Sequence, residues 1–250
     1  MSKLFVADLP RIFKSKLFYI LAAIAIIFPA ISAIANYTQL EEKEMVLTIA
    51  SSELCVNMTS LLAVFAGLFS AILIGKEFSK GVIRNKILVT KKRSSILISW
   101  TILYVITTII YFILIFGSLF LTLAIMGASF KGFDGKALSL NLLIIFLYMI
   151  KFQLFSILVM CIFPDEKMAG ALVVFNILTM IPLALLQSVK SLTKIMSYIS
   201  RISYIGYVNQ EEFSMFTSPD KIWLTLIIIS IMSIGYMIAA IKIFNKKDIK

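Results

Sequence analysis

The segment 75–86 is the most distinctive polar stretch of this sequence. It contains the charged residues Glu77 and Arg84, and its apolar residues Phe78 and Val82 stand four positions apart, so they would share one side of a helix. Charged groups around an apolar strip are suited to binding a partner rather than to breaking bonds. We therefore predict a short amphipathic helix at a membrane surface, with Glu77 and Arg84 presented to a soluble partner. A generic basic loop is the alternative.

Lys151 is the second candidate, because it lies in the middle of an apolar stretch, 138–163. A lysine at the centre of a bilayer costs about 2.5–3.5 kcal/mol and cannot easily reach the interface. We predict that Lys151, with Gln153 and Ser156 nearby, faces a polar cavity or a second membrane subunit. The alternative is a helix that is broken or shifted, so that Lys151 lies closer to an interface.

Several kinds of chemistry are not expected of this chain. It has no histidine, and its two cysteines, Cys55 and Cys161, lie at opposite ends of different apolar stretches, so neither a zinc site nor a disulfide is expected. No carboxylate lies within an apolar stretch, which argues against an intramembrane protease or an ion-coupled transporter. The phosphate-binding pattern Gly-x-x-x-x-Gly-Lys-Ser/Thr is absent from the sequence. We expect no catalytic residue, metal site or cofactor in this chain.

Six apolar stretches must position these residues. The mean hydropathy is +1.00, and 60% of the residues are hydrophobic. Each stretch is near or above the roughly 20 residues that a helix needs to cross about 30 Å of hydrocarbon. We predict an all-α membrane protein, a bundle of six transmembrane helices in one domain, 1–250. The predicted spans are 17–35, 54–74, 96–126, 138–163, 168–187 and 222–244.

Charge orients the predicted bundle. With the N-terminus inside, sixteen basic residues fall on the inner side and seven on the outer, while five acidic residues are inside and eight outside. This asymmetry follows the positive-inside rule and places both termini in the cytoplasm. The net charge of +11 is concentrated beside the spans, so we attribute it to anionic lipid headgroups of the bilayer rather than to nucleic acid.

Two further segments have helical periodicity. Residues 1–16 are predicted to form an amphipathic interfacial helix whose polar side includes Asp8 and Arg11, and 188–221 an amphipathic outer segment before the last span. The first span ends in Ala33-Ile34-Ala35, a pattern also found in cleaved signal peptides, but the charge count favours a retained transmembrane helix.

Together these elements resemble the type-2 ABC transporter permeases, the membrane subunits of many bacterial exporters. The resemblance covers nearly the whole chain: the N-terminal segment 8–16, six spans with both ends inside, and the short acidic inner loop 164–167. The segment 75–86 carries Glu, an aromatic residue, Gly and Arg-Asn-Lys at the family's relative positions, with Val82 where Thr is common.

The resemblance implies that 77–86 is a coupling helix that docks in a cytoplasmic ATPase. The residues that would contact the ATPase are Glu77, Phe78, Lys80, Gly81, Arg84 and Asn85. The chain would pair with itself or with a sister permease and with two ATPase subunits, which bind ATP and Mg. Export of an amphipathic or lipophilic substrate, a peptide or antibiotic, across the bacterial cytoplasmic membrane is the implied function. A non-transporting membrane or immunity subunit, or an ion-coupled secondary transporter, is the alternative.

Overall fold

A computed structural model describes residues 2–38, 67–90, 92–127, 135–165, 171 and 219–247. These residues are helical throughout apart from short turns, which confirms the all-α prediction for this part of the chain. The helices are α1 (Ser2–Phe13), α2 (Lys16–Thr38), α3 (67–79), α4 (Val82–Thr90), α5 (Arg93–Ile125), α6 (Gly135–Ile162) and α7 (Pro219–Lys246).

Four of these helices are long and apolar enough to cross a membrane. Their spanning parts are Lys16–Ala35, Arg93–Ile125, Leu142–Ile162 and Leu226–Lys246. They correspond to the first, third, fourth and sixth predicted spans. The second span is described only from residue 67, where it is helical, and the fifth span lies outside the described residues. The outer segment 188–221 also lies outside them, except for 219–221, which begin α7. The six-span topology therefore stays a prediction.

Side-chain contacts give the relative directions of α2, α3 and α5. The Tyr111 hydroxyl donates to the carbonyl of Phe18 at 3.3 Å, and the Ser118 hydroxyl donates to that of Ala25 at 3.5 Å, so α2 and α5 run parallel. Helix α3 runs the other way, because its residue Phe69 packs near Tyr111 while its last turn reaches the start of α5.

Helices α6 and α7 both run antiparallel to α5. Gln153 of α6 contacts Thr108, whereas the earlier residue Phe146 packs against the later Phe112 at 5.5 Å. Helix α7 packs mainly on α6 and ends beside the end of α6. These directions are those that the six-span prediction assigns to its spans.

One end of the bundle gathers the ends of these helices, and we call it the basic end. It comprises α1, the last turn of α3, α4, the first turns of α5 and the last turns of α6 and α7. Its cations include Arg11, Lys76, Lys80, Arg84, Lys86, Lys92, Arg93, Lys246 and Lys247. The positive-inside count assigns all of them to the inner side.

A turn at Gly81 divides the predicted amphipathic helix 77–86 into two pieces. Gly81 has a φ of +66°, a left-handed conformation that ends α3 and that glycine adopts without a steric penalty. Glu77 and Phe78 therefore belong to the last turn of α3, and the separate helix α4 begins at Val82. The prediction of a short helix in this segment holds for α4, but it was wrong to place Glu77 on that helix.

Aromatic packing joins α2, α3 and α5 above the basic end. The rings of Phe18, Phe69 and Tyr111 lie 5.5–6.0 Å from one another. Such contacts matter in a membrane, where burying apolar surface gives little drive for helices to associate and packing must supply it. These contacts fix the position of α3 along α2 and α5, and therefore place the last turn of α3 at the basic end.

Candidate functional site

Lys86 is the centre of a buried charge cluster at the basic end. Its Nζ lies 2.7 Å from Oδ2 of Asp8 and 2.8 Å from each carboxylate oxygen of Glu77. All three residues are buried, and they come from α4, α1 and α3 respectively. A buried lysine is stable only when its charge is paired and its donors are used, and these three contacts meet both needs.

Arg11 and Trp100 complete the cluster from two sides. Nη1 of Arg11 lies 3.2 Å from Oε1 of Glu77 and 3.4 Å from Oδ1 of Asp8. The indole Nε1 of Trp100 donates to the other oxygen of Glu77 at 3.1 Å, which brings α5 into the network. Two carboxylates thus meet two cations, and four helices are held at one point.

Burial raises the pKa of Glu77 above its ordinary value of 4.5, and the neighbouring Lys86 acts in the opposite direction. The carboxylate is therefore held in place by its partners against the cost of removing it from water. Losing one member of such a buried ion pair costs about 3–5 kcal/mol, because the remaining charge is left uncompensated.

An aromatic layer lies beside the charge cluster and connects α3, α5 and α7. The ring of Phe78 lies 6.2 Å from that of Trp100 and 6.1 Å from that of Phe244, and Trp100 lies 5.8 Å from Phe244. Phe78 is thus packed inward and half-buried rather than set on a separate membrane-facing strip.

Two cations cap the helix ends at the same level. Arg93 donates from Nη1 to the backbone carbonyl of Phe244 at 3.3 Å and to that of Asn245 at 3.1 Å, at the end of α7. Lys247 donates to the carbonyls of Cys161 and Ile162, both at 2.7 Å, at the end of α6. The last carbonyls of a helix lack partners within the helix and carry the negative end of its dipole, so cations stabilise them.

The residues that the resemblance assigns to ATPase docking divide into buried and exposed groups. Glu77 is buried in the charge cluster, so it cannot contact a soluble partner directly in this conformation, contrary to the expectation that it is presented. Lys80 and Gly81 in the turn, and Arg84 and Asn85 on α4, are exposed.

The exposed side of α4 also carries two apolar residues. Leu88 is 68% exposed and Val89 is 80% exposed, beside Arg84 and Asn85. We call these four residues the α4 outer face. Its mixture of apolar and basic groups contrasts with the opposite side of α4, where Ile83 and Lys86 are buried.

None of Asp8, Lys86 and Trp100 was assigned to a site from the sequence. Asp8 was predicted to face away from the apolar side of α1, but it is buried against Lys86. Lys86 was part of the recognised motif without an assigned role. Helical periodicity separates polar from apolar sides, and it does not reveal whether a polar side meets water or another helix.

Lys151, Gln153 and Ser156 are all buried inside the bundle. Helix α6 continues unbroken through Lys151, which excludes a break there, while the alternative of a shifted helix stays a prediction. The Lys151 ammonium lies 4.5 Å from the centre of the Tyr148 ring.

Gln153 links α6 to α5 within this group. Its amide oxygen accepts a hydrogen bond from the hydroxyl of Thr108 at 2.8 Å, one turn before Tyr111, which contacts the first turn of α2. Lys151 therefore lies close to the level at which α2 begins. The side-chain amide nitrogen of Gln153 has no hydrogen-bond partner among the residues that the structure describes.

Helix α3 approaches this group closely at Gly67. A Cβ added to Gly67 would stand 2.3 Å from a ring carbon of Phe152 and 3.0 Å from the hydroxyl of Ser156. Only glycine allows α3 and α6 to pack at this distance, as small residues do at interfaces between membrane helices.

No group of three or more metal-ligating side chains occurs in the described ranges. Comparisons of the sequence with protein-family models and with curated proteins found no match.

Proposed function

We propose that this chain is the permease subunit of an ATP-driven exporter, in which a separate ATPase subunit hydrolyses ATP. The observation that carries the proposal is α4, a short helix at the basic end whose outer face is exposed and whose inner face is anchored to α1 and α3 through Lys86. The resemblance of 75–86 to the coupling segment of type-2 ABC permeases supports the same assignment.

Docking on this helix would involve the α4 outer face together with Lys80 and Gly81. Leu88 and Val89 supply apolar contact area, while Arg84 and Lys80 supply charge that selects an acidic partner surface. Glu77, which the resemblance also assigns to docking, acts here by positioning α4 through Lys86.

Coupling requires that the permease bind two states of the ATPase with different free energies. A displacement of α4 would be carried by Lys86 to α1 and α3, and by the hydrogen bond between Glu77 and Trp100 to α5. The charge cluster thus connects α4 to the helices that would move when an ATPase docked on α4 changes state.

The working transporter would contain two permeases and two ATPases in the bacterial cytoplasmic membrane, with ATP and Mg bound by the ATPases. The spans contain few polar residues, which suits an amphipathic or lipophilic cargo better than a sugar or an ion. A peptide or an antibiotic is the cargo that we favour. Lys151, Gln153 and Ser156 would face the translocation path or the second permease.

Photo-crosslinking in intact bacterial membranes tests the docking surface. A photoreactive amino acid in place of Val89 is expected to crosslink to a protein that mass spectrometry identifies as an ATPase. The control is the same photoreactive amino acid in place of Val6, a residue of α1 that is 65% exposed. Arg84→Glu should abolish the crosslink, whereas Lys246→Glu, an exposed basic residue at the same end, should not. Crosslinks to lipid alone at Val89 would contradict the proposal.

The sidedness of the basic end can be tested separately. Ser79 is exposed at the end of α3, so a cysteine placed there in a cysteine-free background is accessible to reagents. An impermeant maleimide should label it in inverted vesicles and not in intact cells. Labelling from outside would place α4 on the wrong side for a cytoplasmic ATPase.

A further inference from the structure

A cavity of about 160 Å3 opens at the basic end between α1, α3 and α5. It is separate from the α4 outer face, none of whose residues lines it. It can hold several water molecules or a compact polar group, because one water needs only about 10–15 Å3 of such space. Its wall is partly apolar, formed by Ile12, Leu73 and Leu103.

Three cations surround this cavity: Arg11, Lys76 and Lys80. Lys76 and Lys80 are exposed and lie one turn apart, and the amide of Lys80 donates to the carbonyl of Lys76 at 3.1 Å. Neither lysine forms an ion pair within the part of the chain that the structure describes. The Arg11 side chain is 49% exposed and makes its two carboxylate contacts through Nη1.

The two carboxylates in the wall, Asp8 and Glu77, do not cancel this charge. Both are held by Lys86, which is not itself a lining residue and approaches them from α4. With Lys86 and Arg11 balancing the two acids, Lys76 and Lys80 remain as net positive charge beside an apolar wall.

The cavity lies near the beginning of α5, a helix long and apolar enough to cross a membrane. Trp100 and Tyr104 of its wall stand two to three turns into α5, about 10–16 Å from Arg93, where this spanning helix begins. Tryptophan and tyrosine are enriched at the boundary between headgroups and hydrocarbon. A ligand there would contact both cations and aliphatic side chains.

We propose that this cavity binds the phosphate group of an anionic membrane phospholipid. Arg11, Lys76 and Lys80 are the phosphate ligands, through charge-assisted hydrogen bonds. The start of an acyl chain lies along Leu73 and Leu103. A free phosphate ion offers the same charge, but it does not use the apolar wall. The site depends on the charge cluster and not on the proposed transport function.

Native mass spectrometry of the full chain in a mild detergent tests this site. Phosphatidylglycerol should bind at low stoichiometry and more tightly than phosphatidylcholine, whose headgroup has no net charge. The variant Lys76→Gln/Lys80→Gln should lose about thirtyfold in phosphatidylglycerol affinity, equivalent to about 2 kcal/mol for two surface cations.

The control is the variant Lys242→Gln/Lys246→Gln. These two lysines are exposed in the last turns of α7 and do not line the cavity. The affinity of this control variant should be unchanged. An equal loss in both variants would reduce the effect to general surface charge and overturn the proposal. Equal binding of the two lipids would also overturn it.

Millimolar inorganic phosphate distinguishes the two sources of the ligand. It should displace little bound phosphatidylglycerol, and full displacement would assign the cavity to a free ion instead. Melting temperature without added lipid should be the same in wild type and both variants, because the substituted lysines are exposed. Phosphatidylglycerol should raise the melting temperature of wild type and not of the cavity variant.

Discussion

Replacing Lys86 with methionine should release α1 from the bundle. Methionine keeps the length of the side chain and removes three contacts of 2.7–2.8 Å to Asp8 and Glu77. The two carboxylates then face each other with only Arg11, itself half-exposed, to balance them. Removing one partner from a buried ion pair costs about 3–5 kcal/mol.

Hydrogen exchange of the backbone amides in α1 measures this loss locally. Because about 1.4 kcal/mol is a factor of ten, we expect these amides to exchange roughly 100- to 4,000-fold faster, while those in the middle of α5 change little. Arg84→Met is the matched control, since Arg84 is an exposed cation of the same helix.

A triple variant distinguishes the effect of an unpaired buried charge from the effect of losing the Lys86 side chain itself. In Asp8→Asn/Glu77→Gln/Lys86→Met no buried charge is left unpaired, and replacing a whole buried ion cluster by neutral groups is often close to neutral in stability. Exchange in α1 should therefore return most of the way to the wild-type rate. The reasoning is refuted if Lys86→Met accelerates exchange in α1 by less than about tenfold, or if the triple variant is as fast as the single one.

Three further results are expected. Gly67→Ala should lower stability by about 1–3 kcal/mol in thermal unfolding, because its Cβ would stand 2.3 Å from a ring carbon of α6. Gly117→Ala should leave stability unchanged, because the added Cβ would meet open space. Equal losses of stability in Gly67→Ala and Gly117→Ala would contradict the close approach of α3. Lys247→Met should increase the rate at which the buried thiol of Cys161 is alkylated, since the end of α6 loses its cap, while Lys247→Arg should retain protection. Burial raises the pKa of Glu77 above 4.5, so the stability this carboxyl contributes is full below pH 4.5 and falls as pH rises through its folded pKa. The melting temperature of wild type minus that of Glu77→Gln should therefore increase as the pH is lowered toward 4.5. A decrease in this difference would contradict a raised pKa of Glu77.

The spanning helices could be predicted from sequence because lipid leaves an apolar stretch of this length only one way to satisfy its backbone. The predicted spans 96–126 and 138–163 agree with Arg93–Ile125 and Gly135–Ile162 to within three residues. The gathering of cations at one end was also predictable, since it follows from the charge asymmetry of the connections.

The charge cluster could not be predicted, because its members are far apart in the chain. Asp8 and Lys86 are separated by 78 positions, and no local pattern relates them. Glu77 was expected to be presented to a soluble partner because it was placed on an amphipathic helix at the membrane surface. The break at Gly81 was missed as well, since a single glycine does not show whether it turns the chain or continues a helix.

The hydrogen bond between Trp100 and Glu77 gives this protein an intrinsic optical reporter. The sequence contains two tryptophans, so a Trp223→Phe variant would leave Trp100 as the sole indole emitter. Its indole donates to the Glu77 carboxylate and lies 5.8 Å from the Lys86 ammonium, and the field of these charges sets its emission wavelength. Breaking the hydrogen bond between Trp100 and Glu77, whether by a partner, a lipid or a substitution, would shift the emission wavelength of unlabelled protein in vesicles. The rate of this change can then be measured by stopped-flow fluorescence.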